Sequence, residues 1–320
     1  MHPHFSSTKR LSRKVDTCIV SNELDLLRIR LEELWDHVDH FVVVEADETF
    51  SGRPKPLFFL EHRAWFKPYE DKLTYLAITN LPPNPSQSEE GRFLREAAQR
   101  NAITEVVSDL NLSPNDVVIV SDVDEIPRGD MLDSMDDLLA THGHAIFVLH
   151  NFRGYINNTS VSALNGVKFA GPVACRVGTL LREGANEARF GNKKAGRVLT
   201  DRSAEYHYID NGGWHFSSFG GPEAFWLKAA NFSHIIDPYR VIRLGDTVPE
   251  QQLFSAALNR EQCRVLQRKY LANCEAPAFS PLGFDTFEIS QDVPAFLRRQ
   301  KESFRGFFFF TDLVDRAKCR

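Results

Sequence analysis

Short apolar runs alternate with helical patterns along the first half of the chain, and this alternation limits the choice of fold more than any other property. The runs are rich in β-branched residues, as strands buried on both faces are. They lie at Val15–Val20, His40–Glu45, Lys72–Ile78, Val117–Val120 and Ala145–His150. Between them, apolar residues recur at the three- and four-residue spacing of amphipathic helices. The pattern predicts an α/β fold with a mainly parallel central sheet.

Helices are predicted in this half from Glu23, over Glu89–Asp109 and over about Met131–Thr141. The second half is less regular: the Gly- and Asn-rich stretch Phe152–Arg189 predicts short antiparallel strands and loops. Beyond an aromatic strand around Trp214, helices are predicted near Ala224–Ser233, Ser255–Tyr270 and Val293–Arg305. With no internal repeat and no clean boundary, we expect a flexible segment at 1–14 and a single domain at 15–320, with a helical C-terminal part.

Composition argues against some classes of protein. The chain has 320 residues and a net charge of −5, whereas nucleic-acid binders usually carry a basic surplus. Its apolar stretches are all too short to cross a bilayer, and Met1–Lys14 lacks the apolar core of a signal peptide. The five cysteines are odd in number and scattered, which favours free thiols. A cytoplasmic protein is therefore expected.

Polar residues follow three of the predicted strands at the point where each strand ends. Asn22, Glu45 and Asp122 occupy these positions. In open α/β sheets, ligands bind at the carboxyl ends of the strands. Glu45 is either the first polar residue of a loop or an acceptor for a nucleotide base or ribose, and Asn22 is also a good helix cap.

Asp122 and Asp124 are the strongest candidates for a metal site. A buried strand delivers them, Glu125 follows at once, and Pro127 prevents the strand from continuing. Two neighbouring carboxylates repel each other unless a cation lies between them. Mg²⁺ or Mn²⁺ takes such oxygens and bridges a nucleotide diphosphate. The alternative is a solvated acidic turn before the next helix.

Other candidate residues have structural as well as functional interpretations. Arg100, with Asn101 beside it, forms a surface salt bridge, binds a phosphate or holds the acidic loop. Trp214 offers a ring that suits stacking on a sugar, and His215 is a structural residue or a ligand. Glu223 begins a predicted helix, where it is either a first-turn acid or a general base.

Six segments, taken in order, resemble the motifs of glycosyltransferase family 17. They are Asn22–Leu27, the strand end Val43–Glu45, Ser51–Leu57, Arg100–Asn101, Ser121–Pro127 and Gly213–Ser217. The resemblance runs from about Val15 to Phe310, and six motifs in one order are far more specific than any single motif.

The resemblance implies a GT-A-like fold, UDP-GlcNAc as donor, a glycan acceptor and inversion to a β linkage. It gives Asp122 and Asp124 the Mn²⁺ or Mg²⁺ ion and the diphosphate. Nucleotide binding is assigned to Asn22 and Glu45 at strand ends and to Arg100 and Asn101 in the helix before the fourth strand. Substrate binding is assigned to Lys55, Trp214 and His215. The motifs do not identify the base, and catalysis is assigned to Glu223, an acid at a helix start after a Gly-rich strand, together with His215.

The same reading divides the domain into a nucleotide-binding half at about 15–150 and an acceptor half at about 151–320. Two rival functions are a non-catalytic glycan-binding protein and a metal-dependent phosphoryl or nucleotidyl transferase. The second rival normally carries a Gly-rich phosphate loop, which this sequence lacks.

Overall fold

The first half of the chain forms parallel strands joined by helices, as its periodicity predicts. The computed structural model describes residues 12–153, 158–159, 168–191, 195–217, 219, 228, 231–233, 280–281, 293–300 and 303–304. The elements up to residue 122 are β1 (Lys14–Val20), α1 (Leu24–Leu34), β2 (His40–Ala46), α2 (Phe58–Glu61), a 3-10 helix (Arg63–Lys72), β3 (Leu73–Ile78), α3 (Glu89–Asp109) and β4 (Val117–Asp122).

Shorter elements follow. They are β5 (Glu125–Pro127), a 3-10 helix (Gly129–Ser134), α4 (Met135–Thr141), β6 (His144–Arg153), β7 (Asn158–Thr159), β8 (Lys168–Arg176), α5 (Val177–Glu183), α6 (Ala185–Phe190), β9 (Arg197–Leu199), β10 (His207–Ser217), β11 (Ser280–Pro281) and α7 (Ala295–Arg299). None of the helices in the described part of the chain is both long enough and apolar enough to cross a membrane.

One sheet contains strands from both halves of the sequence. Its order is β11-β7-β6-β8-β4-β1-β2-β3, with β10 beside β5 and β6, and β9 beside β8. The β3-β2-β1-β4 part is parallel, whereas β8 runs antiparallel to both β4 and β6. The predicted α/β class with a parallel sheet in the first half is confirmed. The boundary between the two predicted halves stays a prediction.

Helices cover both faces of the parallel strands, which is why their sequences are almost continuously apolar. On one face, Cys18, Phe41 and Val43 pack in a cluster with α1. On the other face, Val42 and Val118 pack in a cluster with α3, α5 and α6. Alternate residues of each strand therefore enter different cores, and the strand ends between them are held rigidly.

Predicted helices agree with the structure where a strong start signal exists. Helix α3 has the predicted bounds, because the Ser88 hydroxyl accepts a hydrogen bond from the Gly91 N–H and caps the helix. The α-helix predicted over Met131–Thr141 begins only at Met135, after a 3-10 turn. The helix predicted over Val293–Arg305 is helical at Ala295–Arg299 within the described part.

The prediction of strands and loops over Phe152–Arg189 is partly wrong. Strand β8 is present, but Val177–Glu183 and Ala185–Phe190 are helices. Leu180, Ala185 and Ala188 are buried in the cluster shared with α3, so tertiary packing stabilises these two short helices. The helices predicted at Ala224–Ser233 and Ser255–Tyr270 fall largely or wholly outside the described residues.

Candidate functional site

The carboxyl ends of β2, β1 and β4 lie side by side. Because the strands are parallel neighbours, Val20 stands opposite Glu45 and Ile19 stands opposite Asp122. The polar residues that follow these strands therefore meet at one edge of the sheet, as the sequence predicts. We call this edge, with the 122–125 turn, the candidate site.

Strand β10 completes the site from the second half of the chain. It runs antiparallel to β5, with His215 opposite Glu125, and the Phe216 N–H donates to the Asp124 carbonyl at 2.8 Å. Gly213 makes this approach possible. Its φ is +148°, and a Cβ there would lie 2.1 Å from the Ile126 carbonyl oxygen. The glycine is thus required to bring His215 beside the acids.

Ligand atoms of Asp124, Glu125 and His215 lie within 4.8 Å of one another. Among the described residues this is the single group of three or more such side chains close enough to hold a metal ion. Two carboxylates and an imidazole are a suitable donor set for a divalent cation. The sequence paired Asp124 with Asp122; the structure instead groups it with Glu125 and His215.

Asp122 is held by two arginines. Its Oδ1 accepts from Arg100 Nη2 at 2.8 Å, and its Oδ2 lies 3.3 Å from Arg189 Nη2. Burial raises the pKa of this carboxyl, but the two guanidinium groups outweigh burial and hold the pKa well below its usual range. Arg100 holds the acidic loop, which is one of the roles considered from sequence. Metal binding by Asp122 would require these contacts to rearrange and stays a prediction.

Glu125 is buried against Arg189, whose Nη2 donates to both carboxylate oxygens at 2.5 Å. Burial, opposed by Arg189, raises the pKa of Glu125 to about 7. The Nε and Nη1 atoms of Arg189 are buried without a hydrogen-bond partner among the described residues. Arg189 and Arg100 also lie over the ring of Phe190, at 4.3 and 4.5 Å from its centroid. This packing fixes both cations.

His215 is suited to binding a metal. Burial lowers its pKa to about 4, so the imidazole is neutral at pH 7 and offers a lone pair. Its ring stacks on Phe169 with centroids 4.0 Å apart. Nε2 lies 3.8 Å from Asp124 Oδ2, and Nδ1 is buried with no hydrogen-bond partner in the described part of the chain.

Lys228 reaches the site from a distant part of the sequence. Its Nζ donates to Asp124 Oδ2 at 2.5 Å. Burial lowers the pKa of Lys228, but Asp124 and Glu23 outweigh burial, so the pKa lies above its ordinary value. Asp124 is thus neutralised by an ammonium group in this structure.

Arg30, on helix α1, holds the backbone of the acidic turn. Its Nη1 donates to the carbonyls of Asp122 at 3.2 Å and Glu125 at 2.7 Å. Nε and Nη2 bind both carboxylate oxygens of Asp16, at 2.7 and 2.6 Å, and Nη2 also donates to the Ser121 hydroxyl. Arg30 and Asp16 are fully buried. The backbone between the two acids is therefore fixed by a buried ion pair.

Glu45 and Lys55 contact each other. Lys55 Nζ donates to Glu45 Oε1 at 2.8 Å, and the remaining donors to this carboxylate are the Tyr75 hydroxyl and the N–H groups of Phe58 and Phe59. The buried carboxylate thus anchors the start of α2. Contact of Glu45 with a nucleotide and of Lys55 with a substrate stay predictions.

The other nucleotide-binding candidates are differently placed. Asn101 Oδ1 accepts from the Asn186 N–H at 2.9 Å, so this side chain joins α3 to the start of α6. Asn22 is exposed at the carboxyl end of β1, where its N–H donates to Glu23 Oε2. Asn22 lies at the site edge, whereas Asn101 faces a neighbouring helix.

The prediction that Trp214 stacks on a sugar is contradicted. Its side chain is 1% exposed and belongs to the main hydrophobic core, with the Arg128 guanidinium 4.4 Å from its ring centroid. Along β10, successive side chains point to opposite faces, so His215 faces the site and Trp214 faces the core. Glu223, the predicted base, lies outside the described residues, and its role stays a prediction.

Sequence reasoning found Arg100 but missed three other cations of the site. Arg189 and Lys228 have no local signal, because their partners lie 64 and 104 positions away. Arg30 does have one: it occupies the apolar face of α1 among Leu27, Leu31 and Leu34. A charged residue in that place is expected to find a buried partner.

With this geometry in place, comparison with known proteins shows which proteins the chain is similar to. Residues 2–156 match the sequence model of glycosyltransferase family 17. The resemblance to this family is confirmed. The matched range includes Asp122, Asp124 and Glu125, whereas Arg189, His215 and Lys228 lie beyond it.

A stretch of 121 residues is 37% identical to β-1,4-mannosyl-glycoprotein 4-β-N-acetylglucosaminyltransferase of Homo sapiens, and 36% identical to the Rattus norvegicus protein of the same name. The stretch covers 37% of this chain and 22% of either relative. The matched part of the chain thus spans about a fifth of these family 17 relatives.

Two solved structures show a more distant likeness. A mannosyltransferase from Pyrobaculum calidifontis in complex with GDP-Man and Mn²⁺ has a TM-score of 0.41 and 15% identity, covering 97% of this chain and 87% of that one. TarS 1–349 of S. aureus in complex with UDP-GlcNAc has a TM-score of 0.33 and 12% identity, covering 83% and 73%.

Proposed function

We propose that this chain is an inverting, metal-dependent glycosyltransferase. Its donor is UDP-GlcNAc, its acceptor is a hydroxyl of a glycan, and its product has a β linkage. The family 17 match over residues 2–156 supports the reaction class, and the name of the human relative supports the donor sugar.

The observation that carries the proposal is the group formed by Asp124, Glu125 and His215 at the carboxyl edge of the sheet. This edge is where nucleotide ligands bind in open α/β folds. The three residues come from two chain segments that meet only because β5 pairs with β10. Burying two acids and a histidine together costs free energy, which favours a functional role over a purely structural one.

The residues present fit a divalent cation. Asp124 and His215 would be its ligands, because both oxygens of Glu125 contact Arg189, whereas Lys228 bonds to a single oxygen of Asp124. Nδ1 of His215 has no hydrogen-bond partner among the described residues, so contacts in that part of the chain do not occupy the ring on that side. Mixed carboxylate and imidazole donors suit Mn²⁺, and Mg²⁺ prefers oxygen ligands alone. When bound, such an ion neutralises the charge of a diphosphate leaving group.

The other side chains of the site orient and balance charge. Arg100 and Arg189 keep Asp122 ionised and fixed, and Arg30 holds the turn that presents Asp124. Burial of the whole cluster strengthens each interaction with a charged substrate. A base that takes the proton of the acceptor hydroxyl completes the reaction, and Glu223 remains our candidate.

The test is transfer by the purified full chain with Mn²⁺ and a panel of UDP-sugars and glycan acceptors. Mass spectrometry follows the acceptor, and NMR gives the anomeric configuration. We expect addition of N-acetylhexosamine in the β configuration, loss of activity with a chelator, and a loss of about a hundredfold or more in Asp124→Asn.

Asp133→Asn is the matched control, because Asp133 is an exposed aspartate whose side chain is 68% accessible. It should transfer at the wild-type rate. Transfer that survives chelation, or that is equal in Asp124→Asn and the wild type, would contradict the metal-dependent mechanism. Binding of free sugars without UDP-sugar turnover would favour the glycan-binding alternative.

A further inference from the structure

The cationic side chains of the candidate site already balance its acids. Asp122 contacts Arg100 and Arg189, Glu125 contacts Arg189, and Asp124 contacts Lys228. Each of the three acids thus has at least one cationic partner. A divalent ion added to this cluster creates an excess of positive charge. Either a cationic side chain must then move away, or an anion must bind and offset the excess.

Lys228 is the cation best able to leave. Its Nζ bonds to Oδ2 of Asp124 at 2.5 Å, the same oxygen that lies 3.8 Å from His215 Nε2. The ammonium therefore bonds to the carboxylate oxygen that a metal ion bound between Asp124 and His215 would use. Arg100 and Arg189 are fully buried and packed on Phe190, whereas the Lys228 side chain is 23% exposed. A flexible four-carbon stem also moves more easily than a planar guanidinium held by a fork of bonds.

The backbone that carries Lys228 is tied to the first half of the chain. The Phe232 N–H donates to the Lys228 carbonyl at 2.8 Å, which closes a helical turn. The Phe232 carbonyl accepts from Arg92 Nη1 at 3.3 Å, and Asn231 Oδ1 accepts from the Ser51 hydroxyl at 3.4 Å. These contacts keep the lysine above the carboxyl edge of the sheet even when its side chain moves.

At this edge a nucleotide diphosphate would offer a displaced ammonium a further acceptor. Glu23 also attracts Lys228, and its Oε2 accepts the N–H groups of Ser21 and Asn22. A diphosphate that binds a metal ion held by Asp124 would lie beside the ammonium that the ion displaces. Lysine binds phosphate as a compact point charge.

We propose that Lys228 competes with the metal ion for Asp124 and, once displaced, binds the diphosphate of the nucleotide sugar. The inference rests on the proposed function and assigns Lys228 two successive contacts. It makes binding of cation and nucleotide interdependent: each is weak alone, because the lysine neutralises Asp124, and both are strong together.

The experiment measures equilibrium binding by isothermal titration calorimetry, with Mn²⁺ alone and with UDP in the presence of saturating Mn²⁺. The proteins are full-length wild type, Lys228→Met, Lys228→Arg and Lys168→Met. Lys168 is the control, since its ammonium also pairs with an aspartate, Asp210, outside the site. Circular dichroism establishes that each variant is folded.

For Lys228→Met we expect changes of opposite sign. Mn²⁺ alone should bind about tenfold more tightly, because the competing ammonium is gone. UDP with Mn²⁺ should bind about tenfold more weakly, because a phosphate ligand is gone. Lys228→Arg keeps the charge but replaces the flexible ammonium by a guanidinium, so it should bind Mn²⁺ alone no more tightly than the wild type does. Lys168→Met should match the wild type in both titrations.

If Lys228 has only a structural role, Lys228→Met should bind both Mn²⁺ alone and UDP with Mn²⁺ more weakly, or bind both with unchanged affinity. Either result would overturn the inference. If UDP and Mn²⁺ bind the wild type together while Lys228→Met shows unchanged affinity for Mn²⁺ alone, only the inference fails. If none of the four proteins binds Mn²⁺ with or without UDP, the proposed metal-dependent function fails as well.

Discussion

Replacing Arg30 by methionine removes the guanidinium that ties the acidic turn to β1. All five N–H groups of Arg30 are used: two bind Asp16, one binds the Ser121 hydroxyl, and two bind the carbonyls of Asp122 and Glu125. Methionine has a similar length and fits an apolar environment, so the change removes the charge and its hydrogen bonds with little change in volume.

The loss of stability in Arg30→Met comes from the Asp16 carboxylate that loses its partner. Asp16 has a side chain that is 1% exposed, so its carboxylate would remain buried without a counter-ion. Breaking a buried ion pair by removing one partner costs about 3–5 kcal/mol. Replacing both partners by apolar residues leaves no buried charge, so Arg30→Met with Asp16→Leu should be far less destabilised than the sum of the single variants. We expect a coupling energy of about 3 kcal/mol.

Urea unfolding followed by circular dichroism gives the free energies for the two single variants, the double variant and the wild type. Effects that add to within about 0.5 kcal/mol would refute the ion-pair argument. The double variant also separates stability from positioning. It should be folded yet bind Mn²⁺ more weakly, because the Asp122 and Glu125 carbonyls have lost their donor.

Two further predictions concern residues away from the cation. Trp214→Ala should lower the free energy of unfolding by about 3–5 kcal/mol and Trp214→Phe by much less, because the ring fills the core. Urea unfolding measures both values. Unchanged stability together with impaired donor binding would contradict this prediction. Burial and the neighbouring His142 lower the pKa of His207 in the folded protein, so stability should be lost as the pH falls below about 6.5. Thermal unfolding between pH 7 and 5 should show a smaller loss for His207→Gln, and an unchanged pH dependence would exclude His207 as its source.

The parallel strands could be predicted because local periodicity determines them. Strands β1, β2 and β4 have apolar residues on both faces, and each has a polar residue at or next to its carboxyl end, so the sequence itself indicates the edge where Asp122 and Asp124 lie. The family motifs added the expected metal role. Helices α5 and α6 were not predicted, because packing against α3 rather than local propensity stabilises them.

Long-range charge pairing was beyond sequence reasoning. Arg189 and Lys228 reach the acids only through the fold, and the β5–β10 register alone decides that His215 faces Glu125 while Trp214 faces the core. The Arg30–Asp16 pair is a different case. A charged residue stands on the apolar face of α1 and another inside β1, so their pairing was open to prediction.

Binding of Mn²⁺ in the presence of UDP, followed by electron paramagnetic resonance, tests most directly whether Asp124 and His215 hold a cation that binds a diphosphate. The account predicts that the wild-type chain binds Mn²⁺ with UDP and that Asp124→Asn and His215→Phe each lose this binding, whereas Asp133→Asn keeps it. Retention of Mn²⁺ by folded Asp124→Asn and His215→Phe would contradict it.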